Sequence, residues 1–420
     1  MKKSKPKISD EAELNEAHNK KMQKIKEARD KMMGSKTEEK GLIIVHTGAG
    51  KGKSSSGFGM IMRCIAHEIP CAVVQFIKGT WRTGERDFLE KKFSKTTSNK
   101  YGVGVNSGTD ALQIALMSLG LKPGDEIITS DFTFAATVEV IALLQLMPVL
   151  VDIEENTFNI NCEEILKSIT PKTKAIIPVH LFGQIANMEE VMKIAKNHNL
   201  KVIEDNAQAI GATYKTNQKS GTIGDIGTTS FFPSKNLGCY GDGGAIFTND
   251  DNIAHIIRGI VNHGMYKRYH HDVVGVNSRL DSVQAAVLRA KLPLLDFYNE
   301  RRKEAAIKYS IRFKDNKNLK TPIVYDNCQS HVFHQYTLRV LNNKRDELSN
   351  YLNDNGIPHG IYYPIPLHKQ KAYRDDRYNE ENFKISIMMS KQVISLPMHS
   401  ELQDDQIDFI SEKINCFFKD

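Results

Sequence analysis

Between residues 101 and 247 the chain alternates short apolar runs with helical segments, and that rhythm leaves few folds open. The runs fall at 101–105, 126–129, 147–151, 175–178, 201–204, 228–232 and 244–247, with helical periodicity at 110–119 and 188–197 between them. Such alternation predicts an α/β fold, a mostly parallel sheet with helices on both faces. At 420 residues the chain also exceeds one ordinary core. Residues 292–298 lead into a long helix across 301–311, which bridges a large domain over 88–295 to a smaller C-terminal α+β domain over 296–420.

Charge and cysteine usage narrow the classes of function. The formal net charge is +7, yet residues 1–40 hold 12 Lys/Arg against 8 Asp/Glu, so everything after them carries only +3. That balance gives no general case for nucleic acid, and 1–40 reads as a charged helical extension and linker. The longest apolar run, 140–151, contains Gln145 and Pro148 and is too short to span a bilayer. The charged N-terminus has no apolar signal-peptide core. Six cysteines lie scattered without a CxxC pair, which argues against a disulfide framework or a metal site and fits a cytoplasmic protein.

Residues 41–87 form a separate unit, a partial P-loop βαβ pattern. An apolar strand at 41–46 meets a Gly/Lys loop at 47–54, followed by a helix at 55–68 and a second strand at 71–77. Gly50 and Gly52 would let backbone N–H groups turn toward an anion at a helix N-terminus. Lys53 would reach the phosphates of ATP and Ser54 its magnesium ion. The loop has three residues between Gly48 and Gly52 where the common P-loop has four. With VHTGAGKGKSS, VVQFIKGTW and TGER in series, this stretch resembles the corrinoid adenosyltransferases over 15–90. The resemblance stops there, before the acidic strand end that organises the nucleotide site in that family. Two readings stay open, an ATP phosphate site and a remnant of one.

The large domain carries four signals in order. Asp205 ends the apolar run Lys201-Val-Ile-Glu-Asp205, at the strand end where ligands collect in open α/β sheets. A carboxylate there suits a pyridinium nitrogen. Lys235 follows in SFFPSKNLGCYGDGG, a strand end running into a glycine-rich loop, where a desolvated amine can form a Schiff base. Asn106-Ser-Gly-Thr-Asp110 precedes a helix expected from Ala111 and offers a phosphate site. Phe134, in DFTFAAT, could cover a ring face. Singly, each has a plain structural reading: a loop residue, a solvated lysine, a helix cap, a core aromatic. Their order is what gives them weight.

These segments, with IIPVHLFGQ, VIEDNAQAIGA, NHGMYKRYHHDVVGVNSRLDSVQAAVL, YYPIPLHKQ and ISLPMH, resemble the DegT/StrS group of sugar-nucleotide aminotransferases over 88–420. The resemblance implies a fold-type-I PLP-dependent transferase with pyridoxal 5'-phosphate held covalently by Lys235, which also serves as general base. It implies that Asp205 pairs with the pyridine nitrogen, Gln208 with the phenolate oxygen, and Phe134 with the ring face. Gly108, Thr109 and Ser230 would bind the phosphate, joined by Asn277 of the neighbouring subunit in a homodimer with shared active sites. Dehydratases of this fold carry histidine at the position of Lys235, so its presence points to transamination.

The amino donor implied is L-glutamate and the acceptor a keto-sugar nucleotide, with the 235 and 269–279 regions most similar to enzymes aminating C3 of a UDP-linked 3-keto-hexuronic acid. Lys267, Arg268, His270, His271 and Arg279 would contact its diphosphate or sugar carboxylate. Consecutive histidines rarely converge on one metal ion, so His270 and His271 are not read as ligands. The aminotransferase pattern begins late, with the adenosyltransferase-like piece where family members have an N-terminal arm. A cob(I)alamin adenosyltransferase-like ATP-binding protein, and an impaired fusion that binds PLP without turnover, are therefore the competing expectations.

Overall fold

The computed structural model describes residues 90–93, 99–325 and 328–419, together with the single helical positions Gln23 and Glu27. Apart from those two positions, all of this belongs to the second of the chain's two units, Val74–Asp420. The 41–46 and 71–77 strands, the 55–68 helix and the loop with Gly50, Gly52, Lys53 and Ser54 lie outside the described residues.

Seven strands form the large sheet: β1 (Tyr101–Val105), β2 (Glu126–Ser130), β3 (Met147–Val151), β4 (Thr173–Ile177), β5 (Lys201–Asp205), β6 (Ile226–Ser230) and β7 (Gly244–Thr248). They lie in the order β1-β7-β6-β5-β4-β2-β3. Pairing is parallel from β6 across to β3, while β7 runs antiparallel to both neighbours. Parallel strands need crossovers, supplied in this stretch by α1 (Gly108–Ser118), α2 (Ala136–Leu143), α3 (Cys162–Ser168) and α4 (Met188–His198). The connection from β6 to β7 is a glycine-rich loop without an α-helix, and that pair is antiparallel.

Alternation along the strands sends side chains to two cores. Ala175, Ile177 and Ile203 join one apolar cluster with Ile114 of α1, whereas Ile176 and Val202 join another with Val191 and Ile194 of α4. Successive strand residues face opposite ways, so near-continuous apolar runs mark a sheet covered on both sides. A third core belongs to the C-terminal part. There α7 (Leu295–Phe313), reached after α5 (Asp251–Ile260) and α6 (Ser282–Lys291), contributes Tyr309 and Phe313. Between α5 and α6 stands the hairpin β8 (Met265–Lys267) and β9 (His270–His271). The small sheet of β10 (Leu319–Lys320), β11 (Tyr336–Val340) and β12 (Val393–Leu396) packs with α8 (Arg345–Asp354) and α10 (Asp404–Phe417), while α9 (Lys384–Gln392) precedes β12. Among the described residues no helix is long and apolar enough to cross a membrane.

Two departures from the expected boundaries have a clear physical cause. The strand expected at 228–232 spans Ile226–Ser230. Gly227 masks its start, yet a Cβ there would stand 2.0 Å from the Gly221 carbonyl oxygen, so close packing requires glycine. The helix expected from Ala111 begins at Gly108, because Ser107 caps it by accepting from the Asp110 N–H at 3.0 Å.

The end of β5 is fixed from behind. Glu204, fully buried, accepts from Gly221 N at 2.8 Å and from Ile223 N and Gly224 N at 2.6 Å each. His180 Nε2 lies 2.8 Å from the same carboxyl group, and His180 Nδ1 accepts from Ala186 N. Strand alternation then turns Asp205 to the other side. Replacing Glu204 by Gln would set an amide against these donors. We expect Glu204→Gln to cost about 3 kcal/mol of stability, seen as a lowered denaturation midpoint. Glu189→Gln, which removes an exposed ion pair with Lys215, should leave the midpoint in place. Equal midpoints for wild type and Glu204→Gln would contradict the assignment.

Candidate active site

The carboxyl ends of β1, β2, β5 and β6 open on one side of the sheet, and the sequence-expected cofactor residues follow them directly. Asp205 closes β5 and is only 5% exposed. Thr137 Oγ1 donates to its Oδ2 at 2.8 Å and Ala207 N to its Oδ1 at 3.1 Å. Each oxygen therefore has a donor, and the carboxylate cannot swing away.

Lys235 sits just past β6 in a tight turn whose backbone N–H donates to Phe232 O at 2.9 Å. Its side chain is half-buried. Burial pulls the Lys235 amine below the ordinary lysine value, and the negative charge of Asp205 opposes that shift. The neighbouring Asn236 is buried and donates through Nδ2 to Asn299 Oδ1 at 2.8 Å and Val332 O at 2.9 Å. One turn along α7, Arg302 Nη1 donates to the carbonyls of Phe333 and His334. Burial, reinforced by the charges of Lys235 and Arg302, holds the His334 imidazole far below its usual value.

The residues expected at a phosphate meet at the start of α1. This helix is 11 residues long, with Gly108 and Thr109 in its first turn. Its unpaired N–H groups and dipole favour negative charge. A Cβ on Gly108 would fall 2.7 Å from Ser230 Cβ, so only glycine lets the helix start meet the end of β6. Gly108, Thr109 and Ser230 are in this way brought together. Asn277 lies beside the same helix start of its own chain, its carbonyl accepting from Asn106 Nδ2 at 2.9 Å and its side chain exposed. Ser278 Oγ donates to Asp110 Oδ2 at 2.6 Å and fixes that approach.

Gln208 follows β5 and is held at both ends of its amide. Phe182 N donates to its Oε1 at 2.8 Å, and its Nε2 donates to Tyr363 Oη at 3.2 Å. Phe134 is 59% exposed, with its ring 6.5 Å from that of Tyr363. An aromatic held at the mouth of a site has a free face to stack on a ring.

The expected substrate residues are more dispersed. Lys267, Arg268, His270 and His271 lie on the exposed β8–β9 hairpin. Arg268 stacks on Tyr269, and His271 Nδ1 lies 2.8 Å from His263 O. Arg279 instead reaches the α1 start, donating from its backbone to Asn106 Oδ1 and through Nη1 to Asn262 Oδ1. Sequence reading missed Thr137, Glu204, Asn236 and Tyr363 as contributors. Thr137 and Tyr363 stand inside quoted motifs, DFTFAAT and YYPIPLHKQ, but nothing local aims them at Asp205 or Gln208.

The electrostatics give a test that needs no cofactor. In the protein free of bound aldehyde, labelling of Lys235 by a small amine-reactive reagent should titrate with a midpoint below 10.5. Asp205→Asn should lower it further, because the charge that favours the ammonium form is gone. Peptide mass spectrometry across a pH series reads both; a midpoint at or above the ordinary value would contradict this site geometry.

Comparison with known proteins places the chain in a family. A family model described as DegT/DnrJ/EryC1/StrS aminotransferase family matches residues 63–415. A second, Cob(I)alamin adenosyltransferase N terminal, matches residues 8–33, ahead of the loop at 50–54. The Pleiotropic regulatory protein of Geobacillus stearothermophilus is 46% identical over 79% of this chain and 88% of its own length. The UDP-2-acetamido-2-deoxy-3-oxo-D-glucuronate aminotransferase of Pseudomonas aeruginosa is 45% identical over 77% and 88%. The crystal structure of NtdA from Bacillus subtilis with bound cofactor PMP superimposes with a TM-score of 0.76 at 28% identity, covering 87% of this chain and 82% of that one. With these likenesses added to the strand-end lysine and carboxylate, the chain is an aminotransferase of fold type I and belongs to the DegT/DnrJ/EryC1/StrS aminotransferase family.

Proposed function

We propose that the protein moves an amino group from L-glutamate to a UDP-linked 3-keto-hexuronic acid, with pyridoxal 5'-phosphate bound through Lys235. The observation that carries this reading is the half-buried Lys235 just past the end of β6, with the buried Asp205 closing the adjacent strand β5. When bound, the cofactor supplies an electron sink that makes the amino acid Cα proton removable.

The residues present fit that group. Asp205 would hold the ring nitrogen protonated, and the second N–H of Gln208 would face the phenolate oxygen. Phe134 would cover the ring, and Gly108, Thr109 and Ser230 would take the phosphate at the α1 dipole. Once displaced by the incoming amine, Lys235 Nζ would take the proton from Cα and return it to the cofactor carbon. The Pseudomonas aeruginosa relative, whose name specifies a 3-oxo-glucuronate sugar nucleotide, supports the acceptor. Arg268 and Arg279 would supply cationic groups for its diphosphate and carboxylate, and His270 and His271 hydrogen-bonding ones. The scattered cysteines, with no CxxC pair, suit a reaction in the reducing cytoplasm.

Visible spectra test the reaction in two steps. Purified protein with PLP should show a long-wavelength band that bleaches on adding L-glutamate, with 2-oxoglutarate released. Adding the UDP-3-keto-hexuronic acid should restore the band. A band that ignores glutamate would sink the aminotransfer reading, and bleaching without recovery would sink the acceptor.

The working unit would be a two-fold dimer in which Asn277 serves the partner's phosphate site. Lys235→Ala and Asn277→Ala homodimers should each be inactive or crippled. Unfolded and refolded together, they should recover about a quarter of wild-type activity, since half the dimers would be hybrids with one intact site. Recovery no greater than the parents' would place Asn277 in its own chain's site.

A further inference from the structure

We propose that Tyr363 is a positioning residue for Gln208, aligning its amide so that one N–H points at the cofactor's phenolate oxygen. The proposal rests on the PLP reading given above. A primary amide has one oxygen and two N–H donors in a plane. For Gln208 the oxygen is taken by Phe182 N at 2.8 Å and one N–H by Tyr363 Oη at 3.2 Å. Turning the amide over would set its NH2 against the Phe182 N–H, donor against donor. Both ends are thus assigned, and the second N–H is the one group left to address a ligand.

Tyr363 is itself held hard. Its ring stands edge-on to Phe132 at 5.8 Å and tilted to Phe134 at 6.5 Å. Gly360, three residues before, pairs with Ser395 of β12 through both backbone bonds. Five residues after, His368 N donates to Asp131 Oδ1 at 2.7 Å, and His368 Nδ1 lies 2.7 Å from Asp131 Oδ2. Leu367 N adds a bond to Asp131 O. The segment carrying Tyr363 is therefore pinned to the small sheet at one end and to the turn after β2 at the other. Phe182, the other anchor, holds a left-handed φ of 57°, a conformation a bulky residue adopts only when its surroundings impose it.

The chemistry gives the direction of the effect. A donor on the phenolate oxygen stabilises the form with more negative charge there, which is the form that has lost the imine proton. Weakening the donor raises the pH midpoint of the visible band and loosens the cofactor. Losing one aligned hydrogen bond should weaken PLP binding about three- to tenfold.

The experiment is a double-mutant cycle on the PLP-loaded full chain, read by band midpoint and PLP affinity. Tyr363→Phe should raise the midpoint and weaken binding in the wild-type background. In the Gln208→Leu background the same change should move neither. No effect of Tyr363→Phe on wild type, or equal effects in both backgrounds, overturns the proposal; the second result would mean Tyr363 acts without Gln208. If Gln208→Leu does not fold, Tyr363→Leu replaces the cycle. A shift already complete in Tyr363→Phe supports the hydroxyl's role, and a shift seen only in Tyr363→Leu overturns it. Wild-type protein that forms no band refutes the cofactor reading itself, a failure separate from these.

Discussion

The site depends on the electrostatic pairing of Lys235 with Asp205 across the ends of two adjacent strands. Burial lowers the lysine's pKa, and the charge of the carboxylate opposes that shift. The two effects act against each other on one amine. Holding that balance requires both groups to stay where the sheet puts them. Thr137 fixes the carboxylate from in front, while the buried Glu204 gathers three backbone N–H groups and His180 behind it. Adjacent residues of one strand thus face opposite sides, Glu204 toward the packed backbone and Asp205 toward Thr137.

Contacts from the rest of the chain complete the arrangement. Helix α7 reaches Lys235 indirectly, Asn299 receiving Asn236 and Arg302 collecting the carbonyls of the 333–334 turn. From the C-terminal part, Tyr363 enters beside Gln208, and the Asp131–His368 contact joins its loop to the one bearing Phe134. The site is accordingly assembled from the large sheet and the C-terminal part together.

Much of this was legible in the sequence, and the remainder was hidden for physical reasons. Apolar runs announced five of the seven strands to within one residue at each end, since each is a short run between turn residues, while β4 begins two residues before its expected run. β6 was displaced by two residues because Gly227, required by contact with Gly221, reads locally as a break. Lys235 and Asp205 could be named because each follows a strand end in a recognisable motif. Glu204 could not, because its three N–H partners lie 17 to 20 residues on and nothing in VIED distinguishes structural from chemical acid. Tyr363 stayed silent for a similar reason, its partner Gln208 being 155 residues distant.

The central claim is that Lys235 is the amine that bonds the cofactor, and it can be read directly. Protein incubated with PLP, reduced with borohydride and digested should yield a single pyridoxyl-modified peptide, bearing the label on Lys235 within SFFPSKNLG. A label on any other lysine, or no stable label at saturating PLP, would contradict the account.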